Sequence, residues 1–446
     1  MSADGPAGAD GVPPVDWARI DPAARPDTQR VVVTGMGMVS SLGPDVETTF
    51  ERAARAESGI RRLTRFDPTG LPCDIGGEID HDALDPDEPE DAVGGSAWHL
   101  LRTAARQAGA YHLAQPITDR RRVAVVMGGH GCTPLRRNYL HAAHYVDEQG
   151  NTHLEALARD MRYDRHQGLR RSPDTAPLLL ARQIDARGPV LPIVSACAAG
   201  TQAIGEGLRL IRDDRADLVV VGGAEPLLYY TYVVGFALLG ALTRRYASPE
   251  TASRPFDRKR SGFVIAEGAG VLVLERLDGA KARGREVLGE VLGYGDSADA
   301  FRITDPHPQG RGAFAAIRGA MRDAAVHAED IGYVNAHGTS TAMNDPIESA
   351  ALERALGEVA ATVPVSSNKS MLGHAIGAAG AIEAILTFEG MRRGVVLPTR
   401  NLDAPDRKCR LDYVPHEARN HEHAIALSNS FGFGGQNGCL CLGRGS

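Results

Sequence analysis

Short, unbroken apolar runs recur along the chain, and each gives way to a glycine-rich or polar turn and then to residues at helical spacing. Val31–Val33, Arg122–Met127, Ile193–Val194, Asp217–Glu225 and the end of the Ser253–Leu277 stretch are such runs in the first part of the chain. Residues 287–294, 332–335, 363–366, 424–428 and 438–442 supply them in the second. Strands that are apolar throughout, rather than on alternate residues, are buried on both faces, which implies an α/β fold with a parallel sheet covered by helices. Helices are expected from near Val46, from the turn at Cys197 to about Asp213, over 311–327, from about Pro346, and from about Ala375 to Met391. The second series repeats the element order of the first without repeating its letters, the mark of a duplicated βαβ-rich unit.

At 446 residues the chain exceeds what one hydrophobic core usually organises. The reading is therefore an extension over 1–29, rich in Gly, Pro, Ala and Asp and poorly ordered, an N-terminal half over 30–283 and a C-terminal half over 284–446. Hydrophobic content of 43% and a formal charge of −7 describe an ordinary globular chain and offer nothing to nucleic acid. Six scattered cysteines without metal-ligand spacing imply a reducing, cytoplasmic compartment, and no apolar run reaches membrane-spanning length. Gly35-x-Gly37 lacks the third glycine of a dinucleotide fingerprint. His141, His144, His153 and His166 lie in a polar stretch, 132–175, without ligand spacing, so that stretch reads as a solvated insertion.

Chemistry concentrates on strand-end turns. Ser195-Ala-Cys-Ala-Ala-Gly200 places Cys197 at the start of a helix, where free N–H groups and the helix dipole favour a thiolate nucleophile. Alternatively, Cys197 is a small buried residue packed beneath the helix. In the second half the turns are Asn335-Ala-His-Gly-Thr-Ser-Thr341, Ser366-Ser-Asn-Lys-Ser-Met-Leu-Gly-His-Ala-Ile-Gly-Ala-Ala-Gly380 and Ser428-Asn-Ser-Phe-Gly-Phe-Gly-Gly-Gln-Asn437. An open sheet gathers such turns into one crevice at the carboxyl ends of its strands. Each of His337 and His374 alone would suit a structural role. Two histidines, a lysine and a poised cysteine on such turns point to a reaction centre.

These turns, with Arg254-Pro-Phe-Asp257 and Glu267-Gly-Ala-Gly270, make the chain resemble the β-ketoacyl-acyl-carrier-protein synthases of the elongating Cys-His-His type, from about Arg30 to Leu442. The resemblance implies a thiolase-like fold, duplicated halves in α-β-α-β-α layers, and acyltransfer by decarboxylative Claisen condensation with malonyl carrier protein. It assigns the acyl thioester to Cys197, an oxyanion hole to the backbone N–H groups of Cys197 and Phe433, and enolate stabilisation to His337 and His374. Lys369 would fix that geometry, paired with Glu348 and with Asp345 nearby; Lys369 and Glu348 also suit an ordinary ion pair. Phe433 and Gly434 would form a gate, Thr339 and Thr341 would contact the pantetheine arm, and Phe236 and Phe263 would line the acyl tunnel. Asn335, Glu383, Ser428 and Asn429 match positions that bind a structural monovalent cation in some relatives.

No cofactor is implied beyond the phosphopantetheine arm of an acyl carrier protein. The expected assembly is a homodimer, or a heterodimer with a chain-length-factor-like paralogue. Departures from the family pattern are Asp74, Asp80 and Gly240 where relatives often carry basic carrier-docking residues, Gln436 where threonine is frequent, and the long 132–175 stretch. Arg244, Arg245, Arg258, Lys259 and Arg260 could supply another basic patch. These departures favour a type II polyketide or polyene pathway. The alternatives are primary fatty-acid elongation, a non-catalytic chain-length-factor-like partner and a thiolase acting on acyl-CoA.

Overall fold

The computed structural model describes residues 25–81, 84, 95–129, 142–160 and 172–445. The first half contributes strands β1 (Val31–Val39), β2 (Val123–Gly128), β3 (Val190–Ile193), β4 (Leu218–Glu225) and β5 (Gly268–Arg276). The second contributes β6 (Gly289–Ala298), β7 (Tyr333–Asn335), β8 (Val365–Ser366), β9 (Ile425–Gly432) and β10 (Gln436–Arg444). All join one ten-stranded sheet in the order β8-β7-β9-β10-β6-β1-β5-β4-β2-β3. From the β1–β6 seam outward one half runs 1-5-4-2-3 and the other 6-10-9-7-8, so the duplication reaches topology as well as element order.

The sheet is mixed, where the apolar runs predicted a parallel one. β2 is parallel to β3 and β4, and β7 to β8 and β9, as βαβ crossovers require. In each half the last strand returns antiparallel, β5 against β4 and β1, β10 against β9 and β6. Continuous hydrophobicity reports burial on both faces, and these antiparallel strands are buried on both faces too.

The layering is legible residue by residue. Val123, Val125 and Met127 of β2 pack into an outer core with helix α1 (Gly95–Gln107), whereas Ala124 and Val126 face an inner core. On β10, Leu440 and Leu442 face the same inner core while Cys439 and Cys441 turn to the opposite outer one, so both cysteines are packing residues. The inner core lies around α2 (Ala199–Arg212) and α3 (Ala379–Arg393), whose residues Ala379–Met391 are all buried. A helix buried all round carries small and apolar residues on every face, and Ala379-Gly-Ala-Ile-Glu-Ala-Ile-Leu386 does so apart from Glu383. Helices Arg311–Ala324 and Asn344–Leu356 cover the second half's outer face. The arrangement is α-β-α-β-α.

Two glycines set the distance between the central helices. A Cβ on Gly380 would stand 2.1 Å from Thr201 Oγ1 and 2.7 Å from Thr201 N, and one on Gly200 would stand 2.9 Å from Ala381 N. The turns leading into these helices match in backbone as well. Ala196 (φ 48°) and Ile376 (φ 38°) both occupy the left-handed region, each followed by a short 3-10 turn and then Ala-Gly. Cys197 and Gly377 are therefore equivalent positions of the duplicated unit.

Residues 1–24 of the expected disordered extension lie outside the described residues. Arg25 donates to Leu292 O at 3.2 Å and Lys281 donates to Asp27 at 2.7 Å. Of the 132–175 stretch, residues 142–160 form a turn and an exposed helix, Leu154–Asp160, with His144 and His153 exposed at its base. Residues 132–141 and 161–171 of that stretch, with Cys132, His141 and His166, are outside the described residues. Among the described residues no helix is long and apolar enough to cross a membrane.

Gly380→Ala is expected to lower stability by about 1–3 kcal/mol, since the added methyl has nowhere to go. Urea denaturation checks this, and an unchanged midpoint would show that the helices can part without cost.

Candidate active site

Four turns at strand ends meet between the two central helices. Cys197 lies in the 3-10 turn that opens α2, 3% exposed, with its Sγ 3.0 Å from His374 Nε2. The reactive atoms of Cys197, His337 and His374 all lie within 4.8 Å of one another, and the two imidazoles meet edge to face at 5.3 Å. Gly432 brings the fourth turn against the cysteine: a Cβ there would stand 3.1 Å from Cys197 N. Thr201 and Ser430 tie the cysteine helix to β9 by a 2.8 Å hydroxyl contact.

Each histidine is held by its backbone. His374 N–H donates to Val264 O at 2.7 Å and Ala266 N–H to His374 O at 3.0 Å, a parallel bridge to the segment after Phe263. The Arg254–Gly270 motif, whose purpose the sequence left open, thus splints the His374 turn. His337 follows β7, and Glu348 accepts the N–H groups of His337 and Gly338, each at 2.8 Å. Ser367 Oγ donates to Gly338 O at 2.7 Å, joining the two histidine turns, and Ser253 Oγ donates to Lys369 O at 2.7 Å, tying the Lys369 turn to the segment before Arg254. Sequence reasoning missed these serines, which carry no signal beyond their position in the turns.

Lys369 pairs with Glu383 rather than with the expected Glu348. Glu383 is on helix α3, directly beneath the Lys369 turn, whereas Glu348 spends its oxygens on the His337 loop and on Asn429 and Asn344 amides at 3.2 and 3.3 Å. Asp345 accepts from Phe256 N–H at 2.8 Å and stands 3.7 Å from Arg260, which makes it a brace behind the His337 turn.

Electrostatics corrects another expectation. Burial pushes the Cys197 thiol up to about 11, although the backbone N–H groups of Phe433 and Cys197 and the charge on Lys369 pull the other way. The resting group is a thiol, because desolvation outweighs the helix N-terminus. Burial, followed by the charge of Lys369, holds both His337 and His374 well below the ordinary imidazole value. Both rings are neutral at pH 7, so each carries one N–H and one lone pair. Burial also raises Glu383, opposed by Lys369, and raises Glu348 and Asp345.

Phe236, Phe263 and Phe433 form an aromatic row beside the sulfur. Phe236 meets Phe263 at 5.4 Å and Phe433 at 6.3 Å, and Phe263 meets His374 at 5.4 Å. Gly434 has φ 81° and donates to Ile303 O at 2.6 Å, so the Phe433 turn leans on the exposed segment 300–304. Thr339 and Thr341 lie on the turn leading outward from His337, their hydroxyls 3.0 Å apart. Asn335 Oδ1, Ser428 Oγ, Asn429 Oδ1 and Glu383 Oε2 are buried without a hydrogen-bond partner, and Ser428 faces Asn335 across the β7–β9 ladder. Orphaned buried oxygens are the donor chemistry a hard cation takes.

Comparison with known proteins follows the same lines. The model of the beta-ketoacyl synthase N-terminal domain matches residues 28–280 and that of the C-terminal domain residues 288–403. A 3-oxoacyl-[acyl-carrier-protein] synthase 2 from Synechocystis sp. (strain ATCC 27184 / PCC 6803 / Kazusa) is 37% identical over 93% of this chain and 98% of its own. Its counterpart from Rhizobium meliloti (strain 1021) is 38% identical over 93% and 99%. Among solved structures, a beta-ketoacyl synthase from Burkholderia phymatum STM815 superposes with TM-score 0.82 at 33% identity, over 94% of this chain and all of that one. A ketosynthase bound to a hexaketide, in complex with its type II polyketide acyl carrier protein, gives 0.80 at 30% identity over 93% and 99%.

Because the charge on Lys369 depresses both histidines, Lys369→Met is expected to move the acid limb of the malonyl-decarboxylation pH profile upward, toward the ordinary imidazole value. A limb that stays in place or moves down would show that burial alone sets the two rings.

Proposed function

The chain belongs to the β-ketoacyl synthase family, and from that premise we propose that Cys197, His337 and His374 carry out condensation of an acyl thioester with malonyl carrier protein. The activity at family level is that of an elongating 3-oxoacyl-acyl-carrier-protein synthase, an acyltransferase. The observation that carries the residue assignment is the 3.0 Å contact between thiol and imidazole, with a second neutral imidazole within 4.8 Å of both.

In the first half-reaction the Cys197 sulfur attacks the thioester carbonyl of an acyl carrier. His374 takes the thiol proton, the oxygen's growing charge is met by the N–H groups of Cys197 and Phe433, and the carrier thiol leaves with the proton. A thiol held near 11 makes this proton acceptor necessary. In the second, malonyl carrier loses carbon dioxide, and N–H groups of His337 and His374 converge on the enolate oxygen. Its carbon attacks the acyl-Cys197 carbonyl, the β-ketoacyl carrier departs, and the cysteine thiolate takes up one proton. Neutral imidazoles suit this step, because each keeps one N–H to donate. Lys369 and Glu383 act as positioning residues, with Glu348 and Asp345 bracing the His337 turn.

Phe433 and Gly434 gate the row formed by Phe236 and Phe263, and Thr339 and Thr341 meet the pantetheine arm. If a monovalent cation binds, Asn335, Ser428, Asn429 and Glu383 would hold it and it would supply a fixed positive charge behind the histidines. The partners are an acyl carrier protein and a second thiolase-like chain, the same or a chain-length-factor-like paralogue; the open edge strand β3 supports pairing of that kind. The described cysteines are all free, which supports a reducing, cytoplasmic setting. A type II polyketide or polyene pathway is favoured by the aromatic row, which suits a planar conjugated chain. Primary fatty-acid elongation is the second reading, favoured by the names of the curated relatives.

His337→Ala is expected to reduce decarboxylation of malonyl carrier by about 10²–10³, the cost of one donor to an oxyanion, while acyl loading stays within about tenfold. Cys197→Ala should show no acyl adduct in the intact mass. Equal losses of both half-reactions in His337→Ala would remove the division of labour.

A further inference from the structure

This inference rests on the reading of the chain as a carrier-dependent synthase and concerns where the carrier sits. The arginines nearest Asp74 are already paired: Arg61 with Glu78, Arg62 with Asp74 and Arg65 with Glu267. Asp74 also accepts from Tyr246 at 2.6 Å. Arg244 and Arg245, next to Tyr246, are exposed and have no ion pair among the described residues, so this region keeps two free cations.

A different face offers more. Loops 254–260 and 403–410 lie antiparallel, joined through an Asp257–Pro405 bridge and an Arg258 N–H to Ala404 O bond of 2.9 Å. Their carboxylates are consumed internally, Asp257 and Asp403 by Arg254, and Asp406 by Arg260. Arg258, Lys259, Arg407, Lys408 and Arg410 are exposed, and among the described residues none has a carboxylate within ion-pair distance. Five unopposed cations on two adjoining loops stand out on a chain whose formal charge is −7.

The face also adjoins the way in. Arg260 donates to Thr341 O at 2.8 Å, Asp257 O at 2.9 Å and Asp406 at 2.8 Å, stitching the turn that leaves His337 to both loops. Gly262 N–H holds Ser340 O at 3.1 Å. From buried His337 that turn surfaces at Met343, which is 49% exposed. An apolar side chain beside a basic rim fits an amphipathic acidic helix.

We infer that the acyl carrier protein docks on the basic face of loops 258–259 and 407–410, with Met343 at its apolar centre and its pantetheine arm entering past Thr341 and Thr339. The test uses full-length R258E/K259E and R407E/K408E variants, with R62E as the control at an arginine already paired with Asp74. The probes are a malonyl-loaded fatty-acid-type acyl carrier protein and hexanoyl-pantetheine. Each double variant is expected to raise KM for the carrier substrate about tenfold or more and to flatten its salt dependence, with Cys197 loading from hexanoyl-pantetheine within about twofold of wild type. R62E should behave as wild type.

A KM within about twofold in both double variants, or a larger effect from R62E, overturns the docking site. Parallel loss with hexanoyl-pantetheine also overturns it, since damage to the site would then explain the change. If the unaltered enzyme uses pantetheine thioesters as well as carrier-bound ones, the carrier-dependent reading itself fails, a result separate from the variants' behaviour.

Discussion

The reaction centre exists because two buried helices approach closely enough for turns from opposite halves of the chain to touch. Gly200 and Gly380 leave no side chain between α2 and α3, and with Thr201 they set the separation at which Cys197 Sγ and His374 Nε2 stand 3.0 Å apart. Cys197 and His374 are 177 residues apart in sequence. No local propensity could bring them together; packing of the shared central layer does. The duplicated topology explains why the contact is possible at all, since equivalent strand-end turns in each half point toward the same seam.

Burial then sets the chemistry. Desolvation opposes every charge in the cavity, keeping the cysteine a thiol and both imidazoles neutral. Lys369 is 1% exposed and persists there with Glu383 beneath it, since an unpaired buried charge would be costly. Its charge reaches both rings and the sulfur. The thiol and both imidazoles therefore rest uncharged beside the buried Lys369–Glu383 pair.

Much of this was legible in the letters. The strand series gave the layers, because two-sided burial leaves continuous apolar runs, and the four turns with Cys197, His337, Lys369, His374 and Phe433 named the cleft. Four things were not legible. Strand direction was hidden because β5 and β10 are as apolar as the parallel strands beside them. The partner of Lys369 depended on Glu383 facing inward from the middle of a wholly buried helix, where helical periodicity has no polar side to mark. The resting state of Cys197 depended on a balance between helix N-terminus and desolvation, which only the depth of burial decides. The splinting role of residues 264–266 and of Ser253 and Ser367 likewise needed the distances.

The most direct measurement is a single-turnover experiment on the intact chain. Cys197 is loaded with a ¹³C-labelled acyl group, freed of donor and mixed with malonyl carrier protein, and both proteins are followed by mass. The account predicts that the enzyme returns to its unmodified mass as a labelled β-ketoacyl carrier, two carbons longer, and carbon dioxide appear together. Release of the label as free acid, or a label that stays on the cysteine while carbon dioxide is lost, would contradict it.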